Sequence, residues 1–188
     1  LDDSVYYEGE NAGRFVCSPP LRDRSQQEPL WKALRRDSIQ AVASSHRAFS
    51  LRQKETDPQD FTAIPAGLPG AENRGELLYT FGVSARRLAP EDLCRVLSEA
   101  PARLCGLYPK KGVLQPGSDA DIVVYDPRAS HVLRADDSLS RSDYNPYEGF
   151  VTSGGVTQVY LRGRLAVDQG AVLPAPDGRY LPRGKNSL

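Results

Sequence analysis

The hydrophobic pattern of the chain changes character near Lys110, and no single regular architecture accommodates both halves. Before that point, short apolar runs alternate with helical stretches. Residues 14–17 form an apolar run stopped by Pro19-Pro20, which predicts a buried strand ending in a loop. Residues 25–36 follow as a helix. Leu30, Trp31 and Leu34 share one face of it, and Glu28 stands near its start, where the helix dipole favours an anion. Residues 39–43 read as the next short strand. Strand, helix and strand at this spacing suggest a βαβ unit of an α/β sheet or barrel.

Residues 1–13 are polar and aromatic and read as a loop. Residues 44–75 carry few periodic hydrophobics but contain Pro58, Pro65, Pro69, Gly67 and Gly70. So long a connection inside a compact domain is usually functional or disordered. Helices are expected at 76–81, at 90–99, where Pro90-Glu91-Asp92 opens the first turn, and at 102–107. After Lys110 the pattern is mainly β. Ile122-Val123-Val124-Tyr125 is strongly β-prone, and residues 132–133, 156–161 and 165–167 continue it, with Arg162-Gly163 as a turn. An irregular tail closes the chain at Lys185-Asn186-Ser187-Leu188. There is no internal repeat and no low-complexity segment.

The formal net charge of zero argues against nucleic acid or an acidic membrane surface as partner. No apolar run reaches the roughly 18 residues a membrane span needs, and no signal-peptide pattern is present. Cys17, Cys94 and Cys105 lack metal-type spacing and read as reduced thiols of a cytoplasmic protein. The chain has no Met, starts at Leu1 and is 39% hydrophobic, so a truncated sequence is the expectation.

Several stretches, in this order, resemble the dihydropyrimidinases and hydantoinases of the amidohydrolase superfamily. They are Phe15-Val16-Cys17-Ser18-Pro19-Pro20-Leu21-Arg22, Phe61-Thr62-Ala63-Ile64-Pro65, Gly70-Ala71-Glu72-Asn73-Arg74 and Gly106-Leu107-Tyr108-Pro109-Lys110-Lys111-Gly112. Beyond these come Gly117-Ser118-Asp119-Ala120-Asp121-Ile122-Val123, Asp143-Tyr144-Asn145-Pro146-Tyr147-Glu148-Gly149 and Gly178-Arg179-Tyr180-Leu181. The run 107–126 is shared by many amidohydrolases. The Ser-Pro-Pro-Leu-Arg and Asn-Pro-Tyr-Glu-Gly stretches are more particular to hydantoinase-like members. The resemblance implies an α/β-plus-β fold: the last strands and helices of a (β/α)₈ TIM-type barrel over residues 1–108, then the C-terminal part of a β-sandwich and a tail over 109–188.

In such enzymes two divalent metals, zinc being the expected one, activate a hydroxide and polarise the carbonyl of a poor electrophile. The resemblance implies four histidines, a carboxylated lysine and one aspartate as ligands. This chain has two histidines, His46 and His131, and no His-x-His pair. The family's Ser-Asp-His or Thr-Asp-His reads Ser44-Ser45-His46 here, so Ser45 stands at the aspartate position. A neutral hydroxyl is a poor ligand for a hard cation and cannot take a proton near neutral pH. His46 beside it reads as a supporting or solvent-exposed residue. The family's Ile-Pro-Asn-Gly reads Ile64-Pro65-Ala66-Gly67, and Ala66 cannot hydrogen-bond a ring amide. Such a bond is worth roughly 1–3 kcal/mol when its loss leaves a polar group unpaired. Ser18 matches a substrate-contacting position, with a turn role before Pro19 as the plain alternative. Asp119 and Asp121 are expected in turn and strand-edge roles, and Tyr144, Tyr147 and Tyr180 in packing.

Two readings follow. The chain is the C-terminal fragment of a cyclic-amide hydrolase opening dihydropyrimidines or hydantoins to N-carbamoyl amino acids, with no catalytic or metal residue and no bound cofactor of its own. Alternatively it is a non-catalytic binding or scaffold relative. The resemblance further implies a cyclic ureide or imide as substrate of the intact enzyme and a homotetramer.

Overall fold

A computed structural model describes residues 1–7, 9–57, 60–174 and 178–187; Pro58 of the expected loop and Leu188 of the expected tail lie outside the described residues. The N-terminal segment winds into two 3-10 helices, Asp3–Tyr7 and Gly9–Phe15, where a loop was expected. A further 3-10 turn, Arg24–Gln26, leads into α1 (Gln27–Arg35). Asp23 starts it by accepting the Ser25 N–H at 2.8 Å, as a residue with a short acceptor side chain does at a helix N-cap. Leu34 is buried with Leu88 and Val96, and Trp31, Ile39, Val42, Val83 and Leu97 pack against them. Full burial of side chains of this size contributes roughly 1.5–3 kcal/mol each.

Neither expected strand before Lys110 forms. Arg14 and Phe15 close a 3-10 helix, and residues 16–17 and 39–43 are extended but join no ladder. A strand is defined by repeated exchange with a neighbour, and these segments make single bonds to other partners. Val42 donates to the carbonyl of Val96 at 3.0 Å, and the Val16 carbonyl accepts from Gly67 at 3.0 Å. The long connection 44–75 is less bare than its composition suggests. It holds α2 (Leu51–Lys54), a 3-10 turn at Phe61–Ala63, and the first residues of α3 (Arg74–Leu78).

From α3 the chain runs on through wider π-type turns at Tyr79–Ser84. α4 (Pro90–Cys94) continues through similar turns at Arg95–Glu99 into α5 (Ala100–Leu104). Pro101 lacks an N–H and crowds the turn before it, and the widened turn at Arg95–Glu99 accommodates it. The Asp92 carboxylate accepts the Ala89 N–H at 3.0 Å and starts α4. The expected helix at 102–107 sits two residues early and ends at Leu104.

The second half is a four-stranded antiparallel sheet in the order β1 (Ile122–Val132), β2 (Val151–Leu161), β3 (Arg164–Asp168), β4 (Ala171–Val172). The β1–β2 register is interrupted between Asp126 and Ser130, where Pro127 has no N–H to give the ladder. Leu161 faces Arg164 across Arg162-Gly163, and both turn residues have positive φ, as a two-residue hairpin requires. Asp121 accepts the Arg162 N–H at 2.8 Å, and the Lys111 ammonium lies against both Asp119 and Asp121. These are the structural roles expected of the two aspartates.

Polar side chains join α3 and its continuation to the sheet. Glu76 meets His131 Nε2 at 3.2 Å, the His131 Nδ1 lies 3.2 Å from the buried Thr152 hydroxyl, and Thr80 exchanges bonds with Ser153. Asn145 donates to Asn73 at 3.1 Å, and the Tyr79 and Tyr125 rings lie 4.6 Å apart. Tyr144 is buried and Tyr147 packs edge-on against Phe150. Tyr180 departs from the packing expectation: it is 90% exposed.

Candidate functional site

Three segments outside helices and strands, far apart in sequence, converge beside α2. The Gly67 N–H reaches the Val16 carbonyl, and the Arg47 N–H reaches the Leu68 carbonyl, each at 3.0 Å. Gly67 makes the approach possible. A Cβ there would lie 2.5 Å from the Arg47 Cβ and 2.8 Å from its carbonyl oxygen, closer than any side chain tolerates. Ser18, Ser45 and Ala66, each one or two residues from one of these bonds, are thereby drawn into one neighbourhood.

Ser18 is exposed, and the loop that carries it is braced from behind. The Tyr6 hydroxyl accepts the Leu21 N–H at 3.0 Å, and Cys17 lies 3.4 Å from the Pro19 carbonyl. Burial pushes the Tyr6 phenol up, so it stays a neutral brace.

Ser45 is exposed and adopts a φ of 47°. This left-handed conformation is uncommon for a side-chain residue and several-fold enriched in Asp and Asn. The backbone at position 45 therefore has the form an aspartate takes readily, while the side chain here is a hydroxyl.

His46 Nδ1 accepts the N–H groups of Gly70 and Ala71 at 3.2 and 3.3 Å. A ring nitrogen that accepts commits its lone pair, so the neutral ring carries its proton on Nε2. The Nδ1 lone pair is thereby engaged by these two N–H groups. His46 is a fastener for the loop 65–71. His131 belongs to the joint between α3 and the sheet and takes no part in the site.

Ala66 is half-buried between Pro65 and Gly67, and its methyl group offers no hydrogen bond. Next to this loop, Glu72 receives the Ser138 hydroxyl at 2.5 Å and the Leu139 and Ser140 N–H groups at 2.9 and 3.2 Å. Burial pushes the Glu72 carboxyl up, but these three donors outweigh it, with His46 adding to them. The carboxyl is held below its ordinary range, and its acceptor capacity is spent on the loop 138–140.

Two residues of this neighbourhood have roles that the sequence alone does not assign. Gly67 stands in the Ile64-Pro65-Ala66-Gly67 stretch, but its close approach to Arg47 is visible only in the structure. Lys54 stands in a polar run and is nonetheless fully buried, with Nζ 2.6 Å from the Val16 carbonyl and 2.8 Å from the Pro65 carbonyl.

The residues present do not fit the two-metal centre that the resemblance implies. Among the described residues no group of three His, Cys, Asp or Glu side chains is placed to hold a metal ion. At the position expected to supply a carboxylate, Ser45 offers a hydroxyl and the adjacent His46 has its lone pair engaged. No catalytic step through a metal follows from these residues. Among the described residues no helix is long and apolar enough to cross a membrane.

Comparison with known proteins shows the family of the chain. The amidohydrolase family model matches residues 5–166. A D-phenylhydantoinase of Escherichia coli O127:H6 is 40% identical over 185 residues, 97% of this chain and 40% of its own length. Several solved structures cover the whole chain, among them the following two. Dihydropyrimidinase from Brevibacillus agri superimposes with a TM-score of 0.96 at 34% identity over 41% of its length. D-hydantoinase from Bacillus sp. AR9 gives 0.95 at 37% identity over 42% of its length. L-hydantoinase from Arthrobacter aurescens covers 92% of the chain with a TM-score of 0.84 at 30% identity, over 38% of its own length. The chain thus spans about two fifths of the relatives it matches.

Proposed function

Since the chain belongs to the amidohydrolase family, in its dihydropyrimidinase and hydantoinase branch, we propose that it is the C-terminal part of a cyclic-amide hydrolase and is inactive as it stands. In an intact relative of this type, a cyclic ureide or imide would be opened to an N-carbamoyl amino acid. Residues 1–108 are the closing portion of the barrel on this reading, and residues 109–188 the chain's share of a β-sandwich. The intact enzyme would hold two divalent metals, zinc in the first instance, and assemble as a homotetramer. The cytoplasm is the compartment that suits three free cysteines.

The observation that carries the reading of inactivity is the pairing at positions 45 and 46. The backbone of Ser45 has a form that favours aspartate, but its hydroxyl cannot take a proton from water near neutral pH. His46 cannot stand in, because its accepting nitrogen already serves Gly70 and Ala71. Ser18 remains free to touch a ring, and Ala66 lacks the amide that would orient it. The same two replacements favour, as the second reading, a binding or scaffold relative that keeps the fold without the chemistry.

The test is metal retention. The chain is loaded with zinc or manganese, dialysed and analysed for metal, and then offered dihydrouracil and 5-phenylhydantoin. We expect no stoichiometric metal and no ring opening. Two tightly held ions per chain with turnover would overturn the proposal.

A further inference from the structure

Lys54 is a fully buried lysine with no carboxylate partner among the described residues. Its two acceptors are backbone carbonyls, Val16 at 2.6 Å and Pro65 at 2.8 Å, and the Phe49 ring lies 5.6 Å from Nζ. The approach of the ammonium is constructed on several sides. Ser50 and Gln53 cap α2 reciprocally, Asp143 accepts the Leu51 N–H at 2.8 Å, and Arg14 pairs with Glu55 at 3.2 Å just beyond. Gly13 leaves room for the Lys54 backbone, whose carbonyl oxygen would lie 3.0 Å from a Cβ at that position. A four-residue helix fixed at its start and flanked by an ion pair thus delivers one side chain inward.

Burying an ammonium is expensive unless its hydrogens are used. Burial lowers the Lys54 pKa from 10.5 to about 8, so most of the charge is kept at neutral pH. Neither carbonyl belongs to a strand ladder. The Val16 carbonyl takes Lys54 as a second donor beside Gly67, and the Pro65 carbonyl takes Lys54. Lysine brings three donors and no acceptor, on a stem long enough to reach from α2.

We propose that Lys54 is a positioning residue of the candidate site. By tying the carbonyl two residues before Ser18 to the carbonyl next to Ala66, it fixes the distance between the two segments that would face a bound ring. The Gly67–Val16 bond closes the same junction, so the Val16 carbonyl is shared by the two fasteners. Lys54 acts through the backbone and touches no substrate. The inference rests on reading Ser18 and Ala66 as ring-facing positions. Its test follows the backbone and not the chemistry, so that reading and this one can fail separately.

The experiment uses the isotope-labelled full chain and Lys54→Met, which fills the same space without a donor. In the native chain, one of the five lysine ammonium groups should exchange slowly and show scalar coupling across hydrogen bonds to the carbonyl carbons of both Val16 and Pro65. In Lys54→Met the Gly67 amide should exchange roughly tenfold faster or more, as expected when a charged hydrogen bond to its acceptor is removed. The Ser18 and Ala66 amide signals should shift, while the melting temperature holds or rises and β2 amides are unchanged. A lysine that merely fills space would leave Gly67, Ser18 and Ala66 untouched in this variant, and that result overturns the proposal. Should Lys54→Met fail to fold, the native couplings decide: their presence to both carbonyls supports the proposal, and their absence to either overturns it.

Discussion

The two histidines of the chain sit in regions built on opposite plans. At the junction of the segments 16–18, 45–47 and 65–71, the fastening is done by backbone groups, by the accepting nitrogen of His46 and by the buried Lys54. Ser18 and Ser45 are left exposed. At the joint between α3 and the sheet, side chains are spent on one another: His131 on Glu76 and Thr152, Thr80 on Ser153, Asn73 on Asn145. A region whose backbone is held by other means has side chains free for a ligand. A region whose side chains hold it together has none to spare. The sequence resemblance covers both, but only the first has the form of a site.

The largest effect that would break this contrast comes from Gly67. Gly67→Ala forces a methyl group into the Arg47 backbone and the Phe49 ring, and overpacking of this kind costs roughly 1–3 kcal/mol. A thermal melt should show the loss, with amide exchange quickening at residues 16–18 and 65–68 ahead of the sheet. Gly75→Ala is the control, since nothing lies within 4 Å of the added carbon and the position is inside α3. It should gain up to about 1 kcal/mol of helix propensity.

A smaller effect separates the two regions by the sign of their pH dependence. Lys54 has its pKa lowered from 10.5 to about 8 by burial. Between those values the unfolded chain binds a proton that the folded chain has released, so stability contributed through Lys54 rises with pH over that window. Burial raises the Glu76 carboxyl above its ordinary 4.5, with His131 opposing the rise. Here the folded chain keeps a proton that the unfolded chain has lost, so the contribution present below 4.5 falls away as pH rises through the folded value. Denaturant melts across pH should show both slopes. Lys54→Met should flatten the alkaline one and Glu76→Gln the acidic one. Slopes of the same sign, or slopes indifferent to these changes, would remove the distinction between the regions.

The half after Lys110 was legible where the sequence announces local geometry. Ile122-Val123-Val124-Tyr125 is strand, and Arg162-Gly163 is the tight turn that its positive φ values demand. The α1 face was legible in part: Trp31 and Leu34 meet a core at helical spacing, while Leu30, expected on the same face, is exposed. The runs 14–17 and 39–43 were misread as strands because an apolar run states a preference for burial, and only a neighbour turns it into a ladder. At the site, the resemblance assigns Ser18, Ser45 and Ala66 their roles by position alone. Nothing in the sequence marks Lys54, because burial of a charged residue depends on two carbonyls 38 and 11 positions away. Nor could it show that the His46 lone pair is taken, which depends on where residues 70 and 71 return.

The central claim is that this segment keeps the scaffold of a cyclic-amide site and lacks its chemistry at Ser45 and Ala66. The most direct measurement joins the segment to the N-terminal barrel portion of an active hydantoinase and follows ring opening of 5-phenylhydantoin by absorbance. Four versions are compared: unmodified, Ser45→Asp, Ala66→Asn and the double change. The two defects act on different steps, so the account predicts an inactive unmodified hybrid, little recovery from either single change and turnover well above both from the pair. An unmodified hybrid that already works at the rate of the parent enzyme would contradict it, because Ser45 would then not stand where the reaction needs a carboxylate.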